Sequence, residues 1–450
     1  MLLFAIVLGA FLGMVDATVV AVALGPLSVH FAVSEAAAQE TLGVYLITVT
    51  ATLPTLGRLG DRAGRRRAYL AGFVIFIAGS VGAVLAPGFV ALLAARALQA
   101  VGGGMLTAGS LALVAEHASR RRTGRTVALL VVTQAVAGLL GPPLGGLLVT
   151  GWGWQAVFWA GGPFAALGIV LTIRYVPPSA EQPIAAVDAP GALLLAVVLS
   201  GLTAAIASVG GPLPGGLPAI AWLEIAVAAA VGLTVVESRA ADPLLDGRLL
   251  GDRRFRLASL ATFLSTGTLM SCFALLPFWL EEARGCSALT AGAAFIPIGV
   301  GLAATSRTGG RMGDQGRTRA ATMLGMSVAA GGLALTAVAA LVSGWPLLLT
   351  GLLVVGCGNG LFSSPNTAAA IAVAPRSALG SAAGFLSTAR NAGVVTGLAV
   401  SGASYTVIVH AHGRRAGDDA AALIFSGAAL VCAIVVALAA QTYRTPTPAS

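Results

Sequence analysis

Gly57–Arg67 reads GRLGDRAGRRR, one acid and five arginines strung on three glycines between two long apolar runs. A degenerate copy, GGRMGDQGRTR, recurs at Gly309–Arg319, again between apolar runs. Short glycine-rich turns let two helices reverse direction tightly, and their charges cannot sit in hydrocarbon. Such a turn used twice in a hydrophobic chain points to a membrane protein built of two related halves.

Composition agrees. Of 450 residues, 57% are hydrophobic and only 10% charged, against about 25% charged in soluble chains. The apolar runs repeatedly reach the ~20 residues that cross a hydrocarbon layer as helix. The ~10-residue alternating segments of a transmembrane barrel are missing from the pattern. The expectation is an all-α polytopic protein with the lipid bilayer as its partner. The net charge of +9 is carried entirely by arginine. These arginines gather in short turns and do not interleave with aromatics, so a nucleic-acid partner is not expected. All-arginine usage suggests a GC-rich bacterial genome. The four cysteines (Cys272, Cys286, Cys357, Cys432) form no CxxC pair and read as small hydrophobes. The first run lacks a basic leader and carries Asp16 in its middle, so it reads as a retained span rather than a cleaved signal; a short preceding leader is expected.

Apolar runs fall near 3–24, 41–57, 68–86, 89–115, 126–149, 154–175, 190–210, 217–236, 257–280, 288–306, 320–341, 346–373, 381–409 and 420–440, fourteen in all. With the N-terminus inside, 21 arginines fall in turns on the cytoplasmic side and three (Arg284, Arg414, Arg415) on the other. That asymmetry is the positive-inside pattern, and it sets both termini in the cytoplasm. The glycine–acid turn follows span 2 and then span 10. Two six-span halves would separate the copies by six spans, so spans 7 and 8 read as an insertion. The expected division is 1–176, a six-helix half; 177–252, two inserted helices; and 253–450, a second six-helix half. Parallel repeats of this kind bind substrate between the halves near the midplane.

Four stretches now carry a family resemblance over nearly the whole chain. GRLGDRAGRRR resembles the signature loop of the major facilitator superfamily. LGMVDATVVAVALGPL in span 1, ARALQAVGGGM in span 4 and AGLLGPPLGGLL in span 5 resemble motifs of its fourteen-span drug:proton antiporter branch. Ala137 departs from the glycine that usually opens the last motif. Gln155 and Gly161 replace an arginine and an asparagine common at the start of span 6. The resemblance implies the major facilitator fold and proton-coupled multidrug efflux from a bacterial inner membrane. It implies no cofactor and the proton gradient as energy source.

Within the spans, Asp16 is the group best suited to load and release a proton, because a carboxylate in hydrocarbon must be paired, hydrated or protonated. A structural role that locks helices is the alternative. Arg96 lies in the antiparallel span 4, and both side chains fall roughly 10–12 Å below the outer edge at 1.5 Å per residue. They are expected to pair, either switchably or permanently. Glu224 in span 8 is a further proton-coupling candidate, set against a structural role in the insertion. Gly138, Gly141, Pro142, Gly145 and Gly146 leave one face of span 5 bare. The resemblance makes this a hinge and seal between the halves; close helix packing explains it equally.

In the gating turn, Gly57, Arg58, Gly60, Asp61, Arg62, Gly64 and Arg65 are singled out. The resemblance implies that Asp61 meets the N-terminal end of a helix in the other half, with Arg65 in its network. Gln134, Asn359, Asn366 and Arg390 are candidate cavity residues. Glu281 and Glu282 beside Trp279 either attract cations or mark the interface. His410 and His412 suggest metal only faintly, and no metal site is expected. No GxxxxGK[ST] loop or nucleophile–base set appears, which argues against an enzyme. The expected partners are protons and a small amphipathic compound, cationic in one reading, exported by a monomer. A dedicated exporter of one metabolite or antibiotic, and a non-transporting sensor or scaffold, are the alternatives.

Overall fold

A computed structural model describes residues 1–33, 35–117, 123–178, 189–207, 218–239, 249, 251–280, 284–286, 288–342, 344–375, 378–412 and 417–443. Glu281, Glu282 and the turn arginines Arg120, Arg121, Arg122, Arg248, Arg376, Arg414, Arg415 and Arg444 lie outside the described residues, as do the side chains of Pro142, His410 and His412.

Hydrocarbon offers no hydrogen bonds, so each apolar run must satisfy its own backbone as helix. The first half comprises α1 (Leu2–Val19), α2 (Leu24–Phe31), α3 (Glu35–Ala63), α4 (Arg65–Val84), α5 (Phe89–His117), α6 (Thr123–Trp152), α7 (Gln155–Trp159) and α8 (Gly161–Tyr175). α9 (Ala189–Ala207) and α10 (Ala219–Arg239) follow. Then come α11 (Arg253–Phe278), α12 (Ala288–Ala293), α13 (Ile296–Asp314), α14 (Thr318–Val342), α15 (Trp345–Ala372), α16 (Leu379–His412) and α17 (Gly417–Thr442). A 3₁₀ turn, Val20–Ala23, joins α1 to α2 into one span.

Among the described residues, ten helices are long and apolar enough to cross a membrane. An eleventh counts if α6, bent by 44° between Thr123–Gly138 and Pro143–Trp152, is one span. The bend falls at the proline pair, where two backbone donors are missing. Among the described residues, length and apolarity thus certify ten or eleven of the fourteen expected spans. α9, α11 and α12–α13 occupy the other expected positions but are shorter or more polar. α13 carries Arg307, Arg311 and Asp314, and α11 carries a Ser/Thr series from Ser259 to Ser271.

Helix neighbours recur between the two parts of the chain. α1 packs on α6 as α11 packs on α16; α4 packs on α5 as α14 packs on α15; α3 packs on α5 as α13 packs on α15. The two sets meet along a seam, where α3 lies against α16 and α13 lies against α6. Close approach is possible because glycines face each other there. A Cβ on Gly57 would strike the Gly380 carbonyl, and one on Gly124 would strike the Gly310 carbonyl. One apolar cluster bridges the seam, joining Leu111, Val127 and Leu130 to Leu302, Ile371, Leu379 and Leu386. α10 packs on α9, and α9 rests against both α3 and α16, covering the seam from the side.

The glycine–acid turns both reverse the chain through a left-handed glycine. Gly64 has φ 87° and Gly316 has φ 75°, a region that costs residues with a Cβ. Both turns lie at the arginine-rich end of the molecule.

Orientation is testable on a chain whose four cysteines are replaced by serine. A cysteine at Pro87, exposed between α4 and α5, should react with an impermeant maleimide in intact cells. A cysteine at Gln315, exposed at the arginine-rich end, should react only after permeabilisation. The reverse pattern would invert the topology.

Candidate functional site

Two constellations stand out, one inside the first half and one across the seam. In the first, α1 presents Asp16 and α5 presents Arg96, both buried. Arg96 Nη1 donates to Asp16 Oδ2 at 2.9 Å and to Gln99 Oε1 at 2.6 Å. Gln99, one helical turn further along α5, donates through Nε2 to Asp16 Oδ1 and to Ser80 Oγ, each at 2.9 Å. The Tyr45 ring covers the guanidinium with its centroid 4.4 Å from Cζ, a cation–π contact that strengthens as water is excluded. Among the described residues, Arg96 Nη2 has no hydrogen-bond acceptor. The pair expected from span depth alone is therefore formed, and Gln99 fixes its geometry.

Burying two charges costs several kcal/mol per ion before their attraction offsets it, so removing one partner leaves the other uncompensated. Arg96→Ala should lower stability by about 3–5 kcal/mol, read as thermal unfolding in detergent. Asp16→Leu combined with Arg96→Met, which removes both charges, should recover most of the loss. Equal destabilisation by the single and double variants would contradict the ion-pair assignment.

The second constellation crosses the seam at the arginine-rich end. Asp61 Oδ1 accepts from the Gly380 backbone N–H at 2.7 Å. Asp61 Oδ2 accepts from the Ser381 N–H at 2.8 Å and its hydroxyl at 3.2 Å. These are first-turn N–H groups of α16 that no intrahelical partner satisfies, and a carboxylate there meets the positive end of the helix dipole. Arg65 Nη2 holds Asp61 at 2.8 Å, and Arg65 Nη1 reaches Glu116 of α5 at 3.1 Å. Arg58 and Arg62 are half-buried in the last turns of α3; Gly60 packs toward the Ala68 methyl.

The degenerate turn repeats the arrangement with the halves exchanged. Asp314 Oδ1 accepts from Gly124 N–H at 2.7 Å and Oδ2 from Arg125 N–H at 3.3 Å, at the start of α6. Arg125 Nε adds a contact at 3.5 Å. Each half thus clasps the first turn of one helix of the other. Asp314, Gln99, Glu116 and the receiving amides were not singled out as site residues. The repeated turn held the signal for Asp314, and the ARALQ stretch held it for Gln99. Glu116 had none.

Deeper along the same two helices, Arg390 Nη1 of α16 donates to Gln134 Oε1 of α6 at 2.9 Å. The other expected cavity residues are used differently. Asn359 donates to Val355 O within its own helix, and Asn366 donates to Ala258 O and Thr262 Oγ1 of α11. Tyr443, just beyond α17, donates its hydroxyl to Asn366 Oδ1 at 2.9 Å; burial pushes its phenol above the usual value and keeps it a donor. Gly138, Gly141 and Gly145 pack against Met14, Thr18 and Val19 of α1, inside the first half rather than across the seam, while Gly146 faces open space. Glu224 stands exposed on α10, apart from the Asp16 cluster.

A cavity of about 1330 Å³ opens between the turns, lined by Asp61, Arg65, Glu116, Asp252, Arg254 and Asp314 among others.

Each clasp can be read at its own amides. Asp314→Asn should speed hydrogen–deuterium exchange at the start of α6 and leave the start of α16 nearly unchanged; Asp61→Asn should do the reverse. Uniform change at both helix starts would mean that the turns act on global stability instead.

The profile of the Major Facilitator Superfamily matches residues 6–398. The chain is 30% identical to multidrug resistance protein Stp of Mycobacterium tuberculosis over 88% of its length and 74% of that protein. It is 26% identical to riboflavin transporter RibZ of Clostridioides difficile, over 88% of this chain and 85% of RibZ. Among solved structures, the human organic anion transporter MFSD10 (TETRAN) superposes with a TM-score of 0.68 at 18% identity, covering 97% of this chain and 98% of the other.

Proposed function

The chain belongs to the major facilitator superfamily, as a multi-pass membrane protein of multidrug-efflux type, and we propose that it exports small amphipathic compounds in exchange for protons. The observation that carries this reading is the double clasp. Asp61 and Asp314 join the halves at the arginine-rich end, each holding the first turn of a helix across the seam. In the state described here the halves are fastened to each other at that end. Rocking of the halves would break both clasps and admit substrate from the arginine-rich side, which we take as the cytoplasm of a bacterial inner membrane, with both termini on it. The halves we assign as 1–176 and 253–450, with 177–252 between them.

Proton coupling falls to Asp16. Ionised, it matches the buried Arg96 in the closed state. Protonation removes that match and lowers the relative stability of this state, and an equilibrium shifts only by such a difference between states. Arg96 and Gln99 hold the carboxylate in place; α1 through α6, and α5 through α16, connect the pair to the seam. The glycine stripe of α6 supports this by letting α6 ride closely on α1. Glu224, exposed on α10, has no place in this coupling. Relatives named for multidrug resistance support export over uptake.

The experiment is pH-gradient-driven efflux from proteoliposomes containing purified protein. Wild type should extrude an amphipathic dye only while the gradient stands, and Asp16→Asn should bind the dye yet lose gradient-driven extrusion. Extrusion that persists in Asp16→Asn, or that ignores a protonophore, would sink the coupling role.

A further inference from the structure

Arg390 and Gln134 hold matching places in the two halves. Arg390 stands eleven residues beyond Leu379, the first residue of α16, and Gln134 eleven beyond Thr123, the first of α6. Both helices start at a clasp. At 1.5 Å per residue, both side chains originate about 16 Å in from the arginine-rich end, near mid-membrane. The pair therefore spans the seam between the halves at mid-depth, the kind of place where transporters built of two repeats bind their substrates.

The charge balance at this point is incomplete. Asp16 and Arg96 neutralise each other, but among the described residues Arg390 forms no ion pair; its hydrogen-bond partner is a neutral amide. A guanidinium inside a span without a counter-charge is costly and marks an ion or substrate path. Around it, Thr107, Ser110, Thr367 and Ser387 contribute hydroxyls from both halves, and Leu130 and Val131 contribute apolar wall. They enclose a cavity of about 20 Å³, room for one water molecule.

We infer that Arg390 receives the anionic head group, a carboxylate or sulfonate, of the amphipathic compound this protein transports, and that Gln134 is its built-in competitor. This rests on the export reading above. When the halves part, Arg390 loses Gln134, and a substrate anion supplies a charge-assisted bond roughly twice as strong as the neutral one it replaces. When the clasps re-form, Gln134 Oε1 returns to 2.9 Å from Arg390, and the cavity closes to a volume that excludes a carboxylate. The anion is held in the state open to the arginine-rich side and displaced in the state closed to it. Such differential affinity favours loading in the one state and release in the other, while the proton gradient drives the exchange.

The test uses two probes of equal length, a dansyl-labelled alkyl carboxylate and its trimethylammonium analogue. Binding to the purified full chain is read by fluorescence anisotropy, and flux by proteoliposome extrusion. Wild type should prefer the carboxylate. Arg390→Gln should weaken carboxylate binding about tenfold or more with little effect on the ammonium probe, and Arg390→Lys should fall between, keeping charge without the planar fork. Gln134→Ala should tighten carboxylate binding and slow its release, an opposite effect that misfolding cannot mimic. No carboxylate preference in wild type, or equal loss of both probes in Arg390→Gln, would overturn the assignment. Carboxylate binding that follows this pattern without gradient-driven flux would count against proton-coupled export while upholding the anion site.

Discussion

A carboxylate on the unsatisfied N–H groups at a helix start is the contact on which the described state depends. Asp61 on the first turn of α16 and Asp314 on the first turn of α6 are each charge-assisted, and each crosses the seam. Neither demands a partner of fixed side-chain type, because the donors are backbone. The helix dipole favours the same sign of charge. What the turns do demand is glycine: Gly57 against Gly380 and Gly310 against Gly124 bring the backbones close enough for the carboxylates to reach. The signature turn is thus a single device with two parts, a left-handed glycine that reverses the chain and an acid that fastens it to the other half.

The remaining polar groups divide by what hydrocarbon imposes on them. Asp16, Arg96 and Gln99 form a closed cluster inside the first half, in which each charge has an opposite charge or an oriented amide. Nearer the arginine-rich end, the second half uses neutral groups: Asn366 ties α15 to α11 through a carbonyl and a hydroxyl. The buried ion pair thus belongs to the first half, while the clasps are shared by both. Arg390 differs from all of these because its partner, Gln134, lies across the seam and is neutral.

Much of this could be read from the chain. The repeated turn gave the two-part plan, and the depth of Asp16 and Arg96 in antiparallel spans foretold their contact. Arg65 joined Asp61 as the resemblance implied. The span count was less legible: α11 and α13 carry hydroxyls and charges that lower their apolarity, so composition alone does not certify them as spans. The glycine stripe of α6 could face either the seam or α1, and periodicity cannot tell a helix which neighbour to choose. Three of its glycines chose α1. Asparagine in a span is equally ambiguous, and Asn359 and Asn366 went to helix bonds. Glu116 gave no signal because its role depends on where α5 ends relative to Arg65, a tertiary fact.

Spin labels at Arg67 and Gln315, exposed on opposite halves at the arginine-rich end, would measure the seam directly by pulsed dipolar spectroscopy. At neutral pH one short distance should dominate. Acidification, or Asp16→Asn at neutral pH, should bring in a longer distance, and Asp61→Asn with Asp314→Asn should do so without acid. A single short distance that ignores both pH and the loss of the two clasps would contradict a seam fastened by these acids and released through Asp16.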